Sequence, residues 1–313
     1  DLVPTVLSLA GIDIPKSIDG KAFLGKKLKK SELEKRNTAF GYADRFDEKY
    51  DLVRSLRKGR YKYVRNYQPF NVDGLYNFYR YKMLAYKEWY TLFQNGNLND
   101  IQSQFFKAKL PESLYDIEED PHETKNLAND IAYNDILMTL REELNNHLIS
   151  INDLSFLPEP YFLKNGINNV VEYSAQNKAL IKKLIETSNL QLKDYDVVSS
   201  QIKNALDHDN PWVRYWGLIV CSGFGSNAME NKEKINMIFE NDPENLVRMR
   251  AAEFMLLNDI NLSDSKINSL LKRSNFEAEA NLMLNTLANI KTINPKYKLN
   301  LNKNIFPENW IPP

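Results

Sequence analysis

Ser113-Leu-Tyr-Asp-Ile-Glu-Glu-Asp-Pro-His-Glu-Thr-Lys-Asn-Leu-Ala128 decides how the rest of the chain is read. Leu114, Tyr115 and Ile117 give a short apolar strand pattern. Asp120-Pro121 then forces a turn, because the proline ring fixes φ and the aspartate bonds its own backbone. A helix follows from about Asp130 to Leu148, with Tyr133, Leu137, Leu140, Leu144 and Leu148 along one face.

Upstream, the pattern is that of a small sheet. Thr38 to Ala43, Asp51 to Arg57 and Arg60 to Asn66 read as strands, and Lys58-Gly59 joins the last two as a hairpin. With the strand at Leu114 this makes roughly four, enough for a stable sheet that the following helix covers. Between them, Gln68 to Leu110 is rich in rings. Met83, Tyr86, Tyr90 and Phe93 fall at helical spacing, and Gly96 ends that stretch. The rings either pack a helical excursion against the sheet or form one wall of a sugar-binding cleft. The first ten residues read as a helix with Val3, Val6, Leu7 and Ala10 as its buried stripe and Gly11 as its stop. Lys26 to Arg36 is a solvated charged run.

Downstream of Pro158 and Pro160 the sequence is helical almost to its end. Asp209-Asn-Pro-Trp-Val-Arg-Tyr-Trp-Gly-Leu218 echoes Asp242-Pro-Glu-Asn-Leu-Val-Arg-Met-Arg-Ala-Ala252, with Arg214 and Arg248 34 residues apart. Glu277 to Ile290 is a third unit. The pattern resembles HEAT-like repeats, in which the arginine after valine ties neighbouring repeats together. About three helix pairs are expected between Val170 and Ile293. Pro295 to Pro313 reads as an extended tail anchored by Phe306 and Trp310.

A chain of 313 residues, 43% hydrophobic and 26% charged, suits two ordinary domains. Its formal net charge of zero gives a polyanion only local patches to bind, and no nucleic-acid partner is expected. Arg54, Arg57, Lys58, Arg60, Lys62 and Arg65 crowd the hairpin, where a solvated basic face that blunts edge pairing is favoured over polyanion binding. No run approaches the ~18 apolar residues of a membrane span. Asp1 already lies inside a helical pattern, so the sequence reads as a piece of a longer protein. The single cysteine, Cys221, excludes an internal disulfide framework.

The strand, acidic turn and closing helix resemble the end of a sulfatase catalytic unit. Leu114, Tyr115, Asp116, Asp120, Pro121, Glu123, Asn126, Leu127 and Ala128 stand in register with that family's motif. Asp1-Leu-Val-Pro-Thr-Val-Leu-Ser-Leu-Ala-Gly-Ile12, followed by Asp19-Gly20 and Phe23-Leu-Gly25, resembles the segment after the family's last active-site strands. The wording of the first motif is similar to the sulfamidase and heparan-sulfatase branch. The resemblance implies an α+β C-terminal sulfatase subdomain over residues 1–152, a small antiparallel sheet plus helices. An all-α HEAT-like solenoid over residues 153–313 follows it.

It also implies an arylsulfatase-like hydrolase of sulfate esters or sulfamates, acting on a sulfated carbohydrate and secreted or periplasmic. Its formylglycine nucleophile and its calcium ion belong to an N-terminal catalytic domain, which would be this region's partner. A phosphonate or phosphate hydrolase of the same superfamily is not distinguished by these residues. The C/S-x-P-x-R motif that yields formylglycine is absent from this sequence, and Ser222-Gly-Phe-Gly225 after Cys221 does not supply it. His122, His147 and His208 are not paired by any metal-ligand spacing, and Asp209-Asn210 reads as a helix cap. No catalytic or metal-binding residue is therefore expected here, and the region alone should be inactive. A helical-repeat scaffold with no catalytic role is the alternative.

One stretch is a candidate for substrate contact. Tyr42-Ala-Asp-Arg-Phe-Asp-Glu-Lys-Tyr50 is similar to an A-R-D-R-x-D-E stretch at the mouth of sulfatase active sites, with Tyr42 replacing the first arginine. Asp44, Arg45, Asp47 and Glu48 match it. Arg45 has the fork that holds a sulfate or carboxylate through two hydrogen bonds, and Asp44 could accept from sugar hydroxyls. An ion-paired loop holding the sheet edge explains the same residues.

Overall fold

The computed structural model describes residues 1–26, 28–46, 49–307 and 310. Two short helices, α1 (Leu2–Leu9) and α2 (Lys30–Glu34), lead into β1 (Thr38–Phe46), β2 (Lys49–Lys58) and β3 (Tyr61–Asn66). The ring-rich excursion holds α3 (Phe78–Lys82), α4 (Leu84–Gln94) and α5 (Asp100–Ser103), and the chain returns as β4 (Glu112–Asp116). The strands form one antiparallel sheet in the order β1-β2-β3-β4. Gly59 makes the hairpin turn at φ +61°, a left-handed conformation that costs glycine nothing.

Strand alternation divides the sheet into two faces. Leu52, Leu56, Tyr63 and Leu114 point one way and are buried. They meet α6 (Asn134–Ser150), whose Leu137, Leu140, Leu144 and Leu148 form its buried stripe. Asp130 caps the turn before α6 by accepting from the Ala132 amide at 3.0 Å. On the sheet's other face lie Asp51, Val53, Lys62, Val64, Ser113 and Tyr115, which line an open cleft.

The quoted motif closes the sheet edge. Leu127 N–H donates to the Leu114 carbonyl at 2.8 Å, and Asn126 Oδ1 accepts from the amides of Leu114 (2.9 Å) and Ala128 (3.0 Å). Asp120 accepts from the Lys125 amide (2.8 Å) and the Thr124 hydroxyl (3.1 Å), which pins the turn. Asp116 takes the Arg60 guanidinium at 2.8 Å. The motif's polar residues are thus acceptors for backbone and neighbouring strands.

The remainder is helical: α7 (Glu159–Asn165), α8 (Val170–Gln176), α9 (Lys178–Ser188), α10 (Tyr195–Leu206), α11 (Pro211–Phe224), α12 (Lys232–Asn241), α13 (Asn245–Leu257), α14 (Asp264–Lys272) and α15 (Glu277–Ile293). α10 packs on α11, α12 on α13 and α14 on α15, while α9, α11, α13 and α15 contact in succession as an inner row. Arg214 grips Asp242 of the next pair with two bonds, at 2.7 and 3.0 Å. Arg248 instead donates to the Phe239 carbonyl at 2.6 Å within its own pair. Asn210 caps α11 through the Trp212 amide at 2.9 Å. The tail follows α14, where the Asn302 amide donates to Asn268 at 2.9 Å and Phe306 packs partly buried.

The sheet and the inner helical row share one apolar core. Trp216 Nε1 donates to the Phe156 carbonyl at 2.7 Å, and the Tyr67 ring meets Phe156 edge-on at 4.9 Å. Two of the hairpin cations differ from the solvated basic face expected of them: Arg54 and Arg65 are 4% and 2% exposed. They sit on the covered face of the sheet, so their heads are consumed by internal partners. Arg65 donates to the carbonyls of Asn66 (2.7 Å), Pro111 (2.9 Å) and Ser188 (2.9 Å) and lies over the Tyr67 ring.

The first helix also differs. Its buried residues are Pro4 and Thr5, whereas Val3 and Val6 are each 62% exposed. Thr5 Oγ1 accepts from the Phe23 amide at 3.1 Å, so α1 packs through that side onto the loop that follows it. Its apolar stripe faces outward.

Candidate functional site

The open face of the sheet is the floor of a cleft of about 720 Å³. Its wall is the excursion between β3 and β4. Trp89 stacks on Phe105 with centroids 4.6 Å apart and planes 19° from parallel, and Trp89 Nε1 donates to the Gln102 carbonyl at 3.1 Å. Phe106 is buried behind them, against Phe93 at 4.7 Å. The rings pack the excursion, and Trp89 and Phe105 also line the cleft.

Charge is concentrated on the floor. Asp51 is 4% exposed; its carboxylate takes the Lys109 ammonium and accepts from the Leu52 amide at 2.9 Å. Lys109 Nζ also lies 3.6 Å from Asp73 Oδ1, and Lys49 Nζ lies 3.8 Å from that same oxygen. The lysine side chains are 11% and 15% exposed, whereas Asp73 is 52% exposed. Burial pulls the Lys49 ammonium below the usual lysine range, with Asp51 opposing that shift and Lys109 adding to it. Burial also works against the Lys109 charge, but Asp51 and Asp73 together outweigh it and hold that ammonium above the usual range. On the rim, Lys62 pairs with Glu123 at 2.7 Å.

Asp44 and Arg45 stand side by side on the cleft lining, at the irregularity in the β1–β2 register. Arg54 Nη1 donates to Asp44 Oδ1 at 2.5 Å, and Ser155 Oγ donates to its other oxygen at 2.8 Å. Arg54 also grips Asp153 through Nε at 2.7 Å. Arg45 Nε reaches both oxygens of Glu159 at 3.1 Å, and its guanidinium lies 5.2 Å from the Tyr50 ring centre. Asp47 and Glu48 lie outside the described residues.

Sequence reasoning missed the lysines and acids of the floor. The Lys49-x-Asp51-x-Val53 alternation puts these three on one strand face and was a usable signal. Asp73 and Lys109 come from aperiodic segments far along the chain, and no spacing announces them. Among the described residues no group of three or more His, Cys, Asp or Glu could hold a metal ion. The described donors therefore do not suit calcium. Cys221 is buried in α11 and burial pushes its thiol up to about 12, which suits packing and not attack.

A small antiparallel sheet closed by this motif and followed by helices is consistent with an α+β sulfatase C-terminal subdomain followed by helices. The chain is 38% identical over 172 residues to an Ulvan-active sulfatase of Formosa agariphila, covering 54% of this chain and 28% of that protein. A second Ulvan-active sulfatase from the same organism is 27% identical over 150 residues, 46% of this chain and 27% of the relative. The chain therefore spans less than a third of the length of these relatives. No family model matches it. The similarity supports a sulfatase-like region within the chain and, for the chain's class, a hydrolase family.

Proposed function

We propose that this chain is the C-terminal region of a longer, formylglycine- and calcium-dependent sulfatase that removes sulfate from a glycan. The observation that carries the reading is the 38% identity over 172 residues to an Ulvan-active sulfatase. Ulvan is accordingly the first substrate to test, and the sulfamates of the sulfamidase branch are the second. The nucleophile and the calcium ligands belong to an upstream catalytic domain. The outward apolar stripe of α1, with Leu2 73% and Leu9 63% exposed, suits docking of that domain. In this reading residues 1–152 form the sulfatase subdomain and residues 153–313 a HEAT-like solenoid. The Arg214–Asp242 bridge between successive helix pairs supports the repeat assignment.

Asp44 and Arg45 meet substrate at the cleft mouth; Asp47 and Glu48, proposed with them from the sequence motif, lie outside the described residues. Arg45 holds its Glu159 partner at a half-exposed position, where a sulfate oxygen pair matches the carboxylate in shape and charge. The full-length protein should release sulfate from ulvan and lose that activity in a calcium chelator. Arg45→Ala should lower kcat/KM by about tenfold or more, the loss of one charge-assisted contact. An unchanged kcat/KM removes Arg45 from the site. A full-length protein with no oxidisable cysteine or serine motif would favour the scaffold reading.

A further inference from the structure

We propose that the floor of the cleft is an anion subsite for an acidic saccharide, in which Asp73 occupies the place of the ligand's anionic group. The inference rests on the glycan reading above but concerns residues that reading does not use. Two ammonium groups converge on one oxygen: Lys109 Nζ at 3.6 Å and Lys49 Nζ at 3.8 Å from Asp73 Oδ1. Both distances are longer than a charge-assisted hydrogen bond of about 2.8 Å. The lysines are mostly covered, while the aspartate that bridges them is half exposed.

The two carboxylates beside them play different parts. Asp51 is buried and tied to Lys109, the Leu52 amide and Asn71, so it is part of the frame. Asp73 is a loosely held internal anion on the rim of the excursion, open to displacement. A sulfate or carboxylate entering between the two ammoniums would shorten both contacts and release Asp73 to water. Lys49 has the most to gain, since burial already disfavours its charge and its loose contacts to Asp73 do not restore it.

The surroundings suit a sugar ring. Trp89 and Phe105 offer apolar surface on one wall of the same cleft, and Tyr115 and Ser113 place hydroxyls on the floor. A saccharide has one apolar face for rings and hydroxyls at its edge for polar partners. A cleft of about 720 Å³ is within the range of ligand pockets, roughly 300–1,000 Å³.

The test is calorimetric titration of the 313-residue chain with a uronic-acid disaccharide carrying one sulfate ester. Its desulfated form keeps the carboxylate, and its carboxyl-reduced form keeps the sulfate. Binding that survives only carboxyl reduction identifies the sulfate as the recognised group; binding that survives only desulfation identifies the carboxylate. Lys49→Met should weaken binding about tenfold or more, since it removes a charged donor. Asp73→Asn should tighten binding by about twofold to fivefold, the scale of a weak half-exposed pair. The second variant keeps the buried Lys109–Asp51 pair and so keeps the fold. No binding of either anionic form, equal affinity for Lys49→Met, or weaker binding by Asp73→Asn would overturn the subsite. Binding needs no turnover, so an inactive full-length protein and a failed subsite are separate results.

Discussion

Asp116 and Asp120 show why the motif that announces this fold is structural. The Arg60 guanidinium holds the Asp116 carboxyl below its usual range, helped by the Glu119 and Glu118 amides. The Lys125 amide does the same for Asp120, with the Thr124 hydroxyl. Carboxyls depressed in the folded state stabilise it fully above the unfolded value of about 3.9 and lose that contribution as pH falls through the lower folded value. Asp120→Asn should therefore flatten the acid limb of a stability–pH profile, read as urea midpoints between pH 6 and pH 3, roughly the window in which an unfolded aspartate protonates. An unchanged acid limb would show that the turn does not depend on this charge. At the same scale, the cleft's acids and lysines were only half legible. Lys49 and Asp51 follow from strand alternation, while Asp73 and Lys109 are placed by tertiary folding of an aperiodic loop.

Among the elements, strands and C-terminal helices were readable because each carries its own period and its own stop signal. The hairpin at Gly59, the four leucines of α6 and the paired helices from α10 to α15 all follow from local pattern. What the pattern does not carry is which face is covered. The α1 stripe is periodic, yet Val3 and Val6 face outward, and the helix packs through Pro4 and Thr5 onto the loop that follows it. Arg54 and Arg65 look like surface charges in sequence, but the register turns them toward the helices. Arg214 and Arg248 make a sharper comparison. Arg214→Ala leaves the Asp242 carboxylate, with a side chain 4% exposed, without its bidentate partner and should cost about 3–5 kcal/mol. Arg248→Ala removes one bond to a carbonyl and should cost about 1 kcal/mol. Denaturant midpoints for the two variants test the difference, and equal losses would contradict it.

Across the whole molecule, the helical row and the sheet behave as one packed body. Arg250 on α13 donates to Gln68 at 3.0 Å and to Tyr215 at 2.7 Å of its second nitrogen, while Glu253 neutralises it at 2.7 Å. Asn289 on α15 reaches the Tyr50 carbonyl at 3.4 Å. The Arg250–Gln68 and Asn289–Tyr50 bonds join residues on either side of position 152, which share an apolar core. Urea unfolding followed by tryptophan fluorescence and by far-UV circular dichroism should give coincident midpoints. Two separated transitions would mean that the sheet and the helical row are held together only weakly. Such coupling would let the helices fix the rim of the cleft through Glu159, Asp153 and Ser155.

In the function proposed above, these residues shape a pocket whose reactive centre lies in an upstream domain of a longer protein. Sulfate release from ulvan, measured by ion chromatography, tests it with two samples: the 313-residue chain alone and the full-length gene product. Release by the full-length protein and none by the chain is the expected outcome. Release by the chain alone, at a rate comparable with the full-length protein, would contradict it.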